Sequence, residues 1–395
     1  MAYQTHRTAF RKSAYRHLFL PTMLKRVFIQ NFKSLKDVTL DLQKVNLLIG
    51  PNNSGKTNFL KALESFSFDG LRSQNIDVLE AISHKHKRVD ITYEFDYIPE
   101  SNGYMMRSNS AKNVSLYHCI QKSVIQIEPG QQRIENIFDD WFIDDEFNEK
   151  IENLNPNVSR REFFEFINTK IYRPDPSKLV QQVKFSADQV ELSADCSNLI
   201  SFYFYVDSNF KRNAKKIQDD LTKCIPEIAY FTLPPVKVGN ESMLGLRFFD
   251  KDENSYRADE VSEGVLYFLA LLCIINQPNP PKLLLLEEPE KGIHPRRIWE
   301  VMKLIFQLAE EKDIQVILTT HNEHIVNTFS TIPESVFVFD KDDDGATYVR
   351  NLQKDIIDVT DRKSEELGLD KIDLTSNLGE NWLYGLIGGV PSDEI

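Results

Sequence analysis

The sequence predicts an α/β fold, a mixed and largely parallel β-sheet flanked by helices and interrupted by an α+β insertion. Three observations carry that expectation. An apolar strand, Val45-Asn46-Leu47-Leu48-Ile49, runs into a glycine-bearing loop that opens a helix. A second apolar strand, Leu283-Leu284-Leu285-Leu286, stops at two carboxylates, Glu287 and Glu288. From there strand, helix, strand, helix and strand alternate, the order that buries a parallel sheet under helices. The 395 residues, 41% apolar and 27% charged, are enough for one large domain or two ordinary ones and exclude a disulfide-stapled miniprotein or a mostly disordered chain.

In chain order, residues 1–22 form a basic tail carrying Arg7, Arg11, Lys12 and Arg16 with no acidic residue. The tail lacks the apolar stretch of a secretory signal, so a disordered leader, a transit-like peptide and a nucleic-acid-binding arm all remain open. Residues 23–66 open the core. Val27-Phe28-Ile29 and residues 38–42 read as two short strands around the polar turn Lys33-Ser34-Leu35-Lys36-Asp37, followed by the strand from Val45. Residues 67–239 change character and are expected to be the insertion. Alternation in Val89-Asp90-Ile91-Thr92-Tyr93-Glu94-Phe95 and β-rich residues 115–127 indicate strands with one wet face. An acidic, aromatic stretch at 138–146 follows, and Ser159-Arg160-Arg161-Glu162 forms a capping box. Phe210, Ala214, Ile217, Leu221 and Cys224 then recur at helical spacing. Residues 240–350 complete the core, with one helix face at Ile298, Val301, Ile305 and Leu308 and a strand at 314–320. Residues 351–395 form a C-terminal extension whose apolar, glycine-rich end is expected to pack on the core.

Lys and Arg number 47 against 59 Asp and Glu, and the resulting net charge of −12 works against blanket affinity for nucleic acid phosphates. Cys119, Cys196, Cys224 and Cys273 lie far apart without CxxC or zinc spacing, as expected of a protein of the reducing cytoplasm. No apolar run approaches the roughly 20 residues of a membrane helix, so no membrane partner is expected.

Gly50-Pro51-Asn52-Asn53-Ser54-Gly55-Lys56-Thr57 satisfies GxxxxGK[ST], with an apolar strand before it and Asn58-Phe59-Leu60 opening a helix after it. The glycines let the backbone curl so that successive N–H groups point at phosphates, and the helix N-terminus adds partial positive charge. Lys56 is placed to reach the β- and γ-phosphates of ATP, and the Thr57 hydroxyl to hold Mg²⁺. The strand ending in Glu287-Glu288 delivers its carboxylates to the sheet edge where phosphates bind. Glu287 is expected to serve the Mg²⁺ shell and Glu288 to polarise the attacking water as the catalytic base. The next strand ends at His321, whose imidazole is expected to sense the γ-phosphate or the attacking water.

Together these residues resemble the ABC-type ATPases, specifically the RecF/SMC-like branch and, within it, the bacterial OLD-like and AAA_21 ATPases of phage-defence and toxin–antitoxin operons. Phe28-Ile29-Gln30-Asn31-Phe32-Lys33-Ser34-Leu35 is similar to that family's first strand and turn, and Glu287-Glu288-Pro289-Glu290 continuing to Pro295 to its fused Walker B and D-loop. Glu287 departs from the Asp usual among ABC proteins. Glu260-Val261-Ser262-Glu263-Gly264-Val265 resembles the shortened signature motif. The resemblance implies that Ser262 and Gly264 contact the γ-phosphate held by the opposite subunit, and that the working species is an ATP-closed homodimer or higher oligomer. For a Q-loop glutamine or an adenine-stacking aromatic the candidates are Gln30, Phe32 and Gln121.

The resemblance further implies the sensor or motor of an antiviral system. OLD-like nucleases continue into a TOPRIM domain after the switch histidine, and the residues following His321 are too few for one, so a separate nuclease or toxin is the expected effector. The alternative is a RecF-like repair ATPase that binds DNA directly through a basic groove, with Lys85, Lys87 and Arg88, or Arg160 and Arg161, as contributors. The acidic turn Lys341-Asp342-Asp343-Asp344-Gly345 lacks EF-hand spacing and reads as a solvated hairpin turn.

Overall fold

The computed structural model describes residues 21–65, 88–97, 112–128, 131–143, 169–184, 191–278, 280–291 and 293–391. The tail through residue 20, the capping box at 159–162 and the basic candidates Lys85, Lys87, Arg160 and Arg161 lie outside them. Along the chain come β1 (Pro21–Phe32), β2 (Leu35–Asp41), β3 (Val45–Ile49), α1 (Lys56–Ser65), β4 (Arg88–Tyr97), β5 (Lys112–Glu128), β6 (Gln131–Ile143) and β7 (Ile171–Tyr172). Then follow α2 (Pro176–Leu179), α3 (Leu199–Asn209), α4 (Lys211–Cys224), β8 (Tyr230–Thr232), β9 (Pro235–Val238), β10 (Glu241–Leu244), β11 (Arg247–Phe249) and β12 (Ser255–Arg257). The last stretch holds α5 (Glu263–Ile275), β13 (Leu283–Glu287), α6 (Pro295–Glu311), β14 (Gln315–Thr319), α7 (Glu323–Asn327), β15 (Val336–Lys341), β16 (Thr347–Asn351), α8 (Asp358–Leu367) and α9 (Leu378–Leu383).

The central sheet has the order β16-β15-β3-β14-β13-β7. Neighbours from β15 to β7 run parallel, and the β15–β16 hairpin adds an antiparallel edge. Side-chain alternation divides its residues between two cores. Leu47 and Ile49 of β3, Leu284 and Leu286 of β13, and Val316 and Leu318 of β14 join the core formed with α3, α4, α5 and α6. Leu48, Leu283, Leu285, Ile317, Phe337 and Phe339 face the other way, against Phe59, Leu60 and Leu63 of α1 and against β1 and β2. Both faces being covered explains why these strands read as unbroken apolar runs. By the same parity Glu287, two residues beyond Leu285, lies on the α1 face.

The second sheet is antiparallel, in the order β2-β1-β4-β5-β6. Buried Gln315 stitches it to the central sheet: its side chain accepts from Leu24 N (3.0 Å) and donates to the carbonyls of Leu24 (2.8 Å) and Gln43 (2.9 Å). An apolar residue there would leave those backbone groups unpaired.

The described elements within residues 67–239, the expected insertion, join the sheets and the core on either side of them. β4, β5 and β6 extend the sheet begun by β1 and β2, β7 pairs with β13, and α3 and α4 share the buried core with α5. Alternation with one wet face revealed the strands, but period alone does not say which sheet a strand joins. The C-terminal extension packs on the core through buried Leu374, Leu378, Trp382 and Ile387, and Trp382 Nε1 donates to Gly389 O at 2.9 Å. In the β15–β16 turn, Asp342 accepts from its own backbone at Ala346 N (2.7 Å), as a hairpin turn requires.

Candidate functional site

The loop after β3 takes its shape from how closely it passes β15 and β16. A Cβ on Gly50 (φ 147°) would lie 2.3 Å from Phe339 O, and one on Gly55 (φ 108°) 2.2 Å from Thr347 Oγ1, so both positions demand glycine on two counts. A relay of hydrogen bonds braces the loop from beneath. Asn58 Nδ2 donates to Ser34 Oγ (2.9 Å), Ser34 and Thr347 share a hydroxyl bond (2.8 Å), and Thr347 Oγ1 donates to Ser54 O (2.9 Å). The hydroxyl hydrogen of Thr347 is committed to Ser54, so Ser34 is the donor to Thr347 and all three bonds run in one direction, an arrangement that strengthens each. Asn58, expected at the nucleotide, thus directs its amide into the brace while still bordering the cavity.

Lys56, 6% exposed, folds back and donates to Gly50 O (2.7 Å) and Pro51 O (2.8 Å). Burial pushes its ammonium down to about 8, partly offset by the Glu288 carboxylate. The Thr57 hydroxyl donates to Glu287 Oε1 at 2.6 Å, uniting the two residues expected to hold Mg²⁺. A hydroxyl and a carboxylate oxygen are donors of the hard kind that Mg²⁺ takes, and one carboxylate with room for water and phosphate oxygens fits its habit. The other oxygen, Oε2, pairs with the guanidinium of Arg173, which follows β7.

Glu288 adopts a left-handed backbone (φ 49°), uncommon for a non-glycine residue and a recurrent feature of functional sites. It is held by Glu288 N donating to Thr319 O (3.1 Å) and by the Tyr267 hydroxyl of α5 donating to Glu288 O (3.0 Å). The imidazole Nε2 of His321 stands 3.7 Å from Glu288 Oε1, beyond hydrogen-bond reach. Burial and then the nearby Lys56 charge lower the His321 pKa, keeping the ring neutral at neutral pH. Behind it, Glu290 Oε1 accepts from the Thr320 hydroxyl (2.5 Å) and from His321 N (3.3 Å), while Oε2 is sealed from solvent without a partner.

The structure gathers Asn52, Asn53, Ser54, Gly55, Lys56, Thr57, Asn58, Glu287, Glu288 and His321 around one cavity of about 370 Å³. It does not bring Ser262 and Gly264 to that cavity. They lie in the first turn of α5, where Ser262 is the N-cap without a side-chain capping bond, and they border a separate cavity of about 680 Å³ with Glu227, Ile293 and Arg297. Phe32, only 2% exposed, belongs to the α1-side core and is not free to stack on a base. Sequence reasoning missed Arg173, Tyr267, Glu290 and Thr347. A two-residue strand leaves no periodic signal, and Tyr267 sits inside an apolar run that reads as core.

A glycine-bearing phosphate loop beside a strand ending in two glutamates, with a histidine ending the next strand, defines a P-loop ATPase head of the ABC/SMC type. The chain superposes on an Smc head bound to the C-winged helix domain of ScpA with a TM-score of 0.51, at 16% identity over 83% of this chain and 96% of that one. A Pyrococcus furiosus Smc head with an extended coiled coil, bound to the C-terminal domain of ScpA, also gives 0.51, at 13% identity over 89% and 100%. The chain belongs to the AAA_21 family, described as "AAA domain, putative AbiEii toxin, Type IV TA system", whose profile matches residues 45–103 and 131–327.

Among curated proteins, the OLD nuclease of Thermus scotoductus is 35% identical over 77 residues, 19% of this chain and 15% of that protein. The energy-coupling factor transporter ATP-binding protein EcfA2 of Clostridium perfringens is 38% identical over 58 residues, 15% of this chain and 19% of that protein. The matched stretches span less than a fifth of either relative. No helix among the described residues is long and apolar enough to cross a membrane.

Proposed function

We propose that this chain binds and hydrolyses ATP as a nucleotide-closed homodimer or higher oligomer, and that the cycle controls a separate effector protein in a bacterial antiviral system. One observation carries the reading: a braced phosphate cavity holds Lys56, Thr57, Glu287, Glu288 and His321, while the signature residues Ser262 and Gly264 face a different surface of the same molecule. A helix N-terminus with unused N–H groups is an anion site without its anion, and a second copy would bring one.

In this reading the loop N–H groups and Lys56 cradle the phosphates, with Lys56 exchanging its two carbonyl partners for phosphate oxygens. Thr57 and Glu287 hold Mg²⁺, which when bound neutralises charge on the β- and γ-phosphate oxygens. Glu288 accepts the proton of the attacking water, and neutral His321 can donate to the γ-phosphate or accept from that water. The left-handed backbone at Glu288 and the Tyr267 bond tie the base to α5, so movement of the signature helix reaches the carboxylate.

The defence role is supported by the family description and by the likeness to an OLD nuclease. The test is particle mass by light scattering with ATP and Mg²⁺, alongside co-purification with the product of a neighbouring gene. A nucleotide-dependent doubling of mass and a recovered partner are expected. A constant monomer removes the dimer, and absence of any partner removes the effector. Strong DNA binding with a steep salt dependence would instead favour a repair ATPase.

A further inference from the structure

Arg173 has a well-anchored backbone and a half-exposed side chain paired with Glu287. The Thr169 hydroxyl donates to Leu283 O (2.6 Å), Ile171 N donates to the Glu64 carboxylate of α1 (2.7 Å), and Arg173 N donates to Ala194 O (2.8 Å). The register sets Tyr172 beside Leu286, so the next residue of each strand, Arg173 and Glu287, emerge side by side at the sheet edge. The Arg173 side chain is 45% exposed, whereas that of its partner Glu287 is 15% exposed and borders the phosphate cavity. A half-exposed ion pair contributes little to stability, so fold alone gives weak reason for a cation here.

The carboxylate of Glu287 has one oxygen engaged by Thr57 and the other by Arg173. A divalent cation needs that carboxylate and repels the guanidinium, so Arg173 and the ion compete for one group. Arginine cannot escape by deprotonation, and its five donors match phosphate geometry.

We propose that Arg173 is a further nucleotide-binding residue, paired with Glu287 and released to the terminal phosphate of ATP when Mg²⁺ takes the carboxylate. The proposal rests on the ATP-site reading above and adds a ligand to it. It also describes a built-in order, since the arginine stays masked until metal and nucleotide arrive together.

Calorimetric titration with a non-hydrolysable ATP analogue and with ADP, each with Mg²⁺, tests it on wild type, R173A and R173K, with thermal melting to verify the fold. R173A should weaken the triphosphate roughly 10- to 100-fold, the size of a lost charge-assisted contact, and ADP far less. R173K should recover part of the loss. Equal weakening of both nucleotides, no weakening, or tighter triphosphate binding in R173A would each overturn the proposal, the last showing that Arg173 only obstructs the metal. If wild type binds neither nucleotide, the ATP-site reading itself falls, and this inference with it.

Discussion

Two helix N-termini to which the proposed function assigns an anion, α1 at Lys56 and α5 at Ser262, are finished to different degrees. The loop before α1 is braced by the Asn58-Ser34-Thr347-Ser54 relay, carries its own cation and faces two carboxylates. The start of α5 is exposed, lacks a side-chain cap and has acidic Glu263 in its first turn. A site meant to work alone would place charge and hydrogen bonds as the α1 end does. The α5 end does not, and the proposed dimer accounts for the difference by having one chain supply both halves of a composite site to two copies.

The largest effect should come from emptying the finished end. Lys56→Ala removes the cation and two of the donors now satisfying loop carbonyls, and nucleotide binding by calorimetry should fall at least about 100-fold, to below detection. Glu288→Gln should leave binding intact and lower turnover about 10²- to 10⁴-fold, as loss of a general base does. The same variant should hold the ATP-loaded dimer, read as doubled mass by light scattering. Unchanged turnover would falsify the assignment of Glu288 as base.

The contrast sharpens at the other end. Ser262→Glu places a carboxylate where the partner's phosphate is expected, so turnover should fall roughly tenfold through a repulsion of about 1–2 kcal/mol while monomeric affinity for ATP stays unchanged. An equal drop in affinity would place Ser262 at the nucleotide of its own chain and dissolve the comparison. Thr347→Val interrupts the brace, leaving Ser54 O without its donor and Ser34 without its acceptor. A stability loss of about 1–3 kcal/mol by chemical denaturation is expected, with nucleotide affinity following the loosened loop.

How much of this was legible in the residues depends on whether a function leaves a local pattern. The phosphate loop, the acid-terminated strand and His321 are contiguous segments with dictated chemistry, and the structure brings them to one cavity. The central sheet was legible because burial on both faces produces unbroken apolar runs. The second sheet was not, since alternation identifies β4 and β5 as strands without naming their partners. Arg173 escaped notice because its place at the site comes from the pairing of β7 with β13 and from the Thr169–Leu283 bond across 114 residues of chain, a juxtaposition no spacing encodes. Thr347 and Ser34 are ordinary polar residues whose role exists only through 313 residues of separation.

The smallest effect concerns Glu290, whose carboxylate lies behind His321. Burial raises its pKa above the ordinary 4.5, and the neighbouring Glu288 charge pushes the same way, while bonds from the Thr320 hydroxyl and His321 N oppose them. Because the folded-state value lies above the unfolded one, folding binds extra protons between the two, and stability must fall as pH rises through that window. Glu290→Gln keeps an oxygen for Thr320 and His321 but removes the charge. Its melting temperature should match wild type below pH 4.5 and exceed it at neutral pH, with turnover preserved. Glu290→Ala, which also deletes the acceptor behind His321, should lose turnover. Parallel pH profiles for wild type and Glu290→Gln would show that the carboxyl does not titrate in this range, and its sealed Oε2 would then have to be a buried charge that the fold tolerates at a cost.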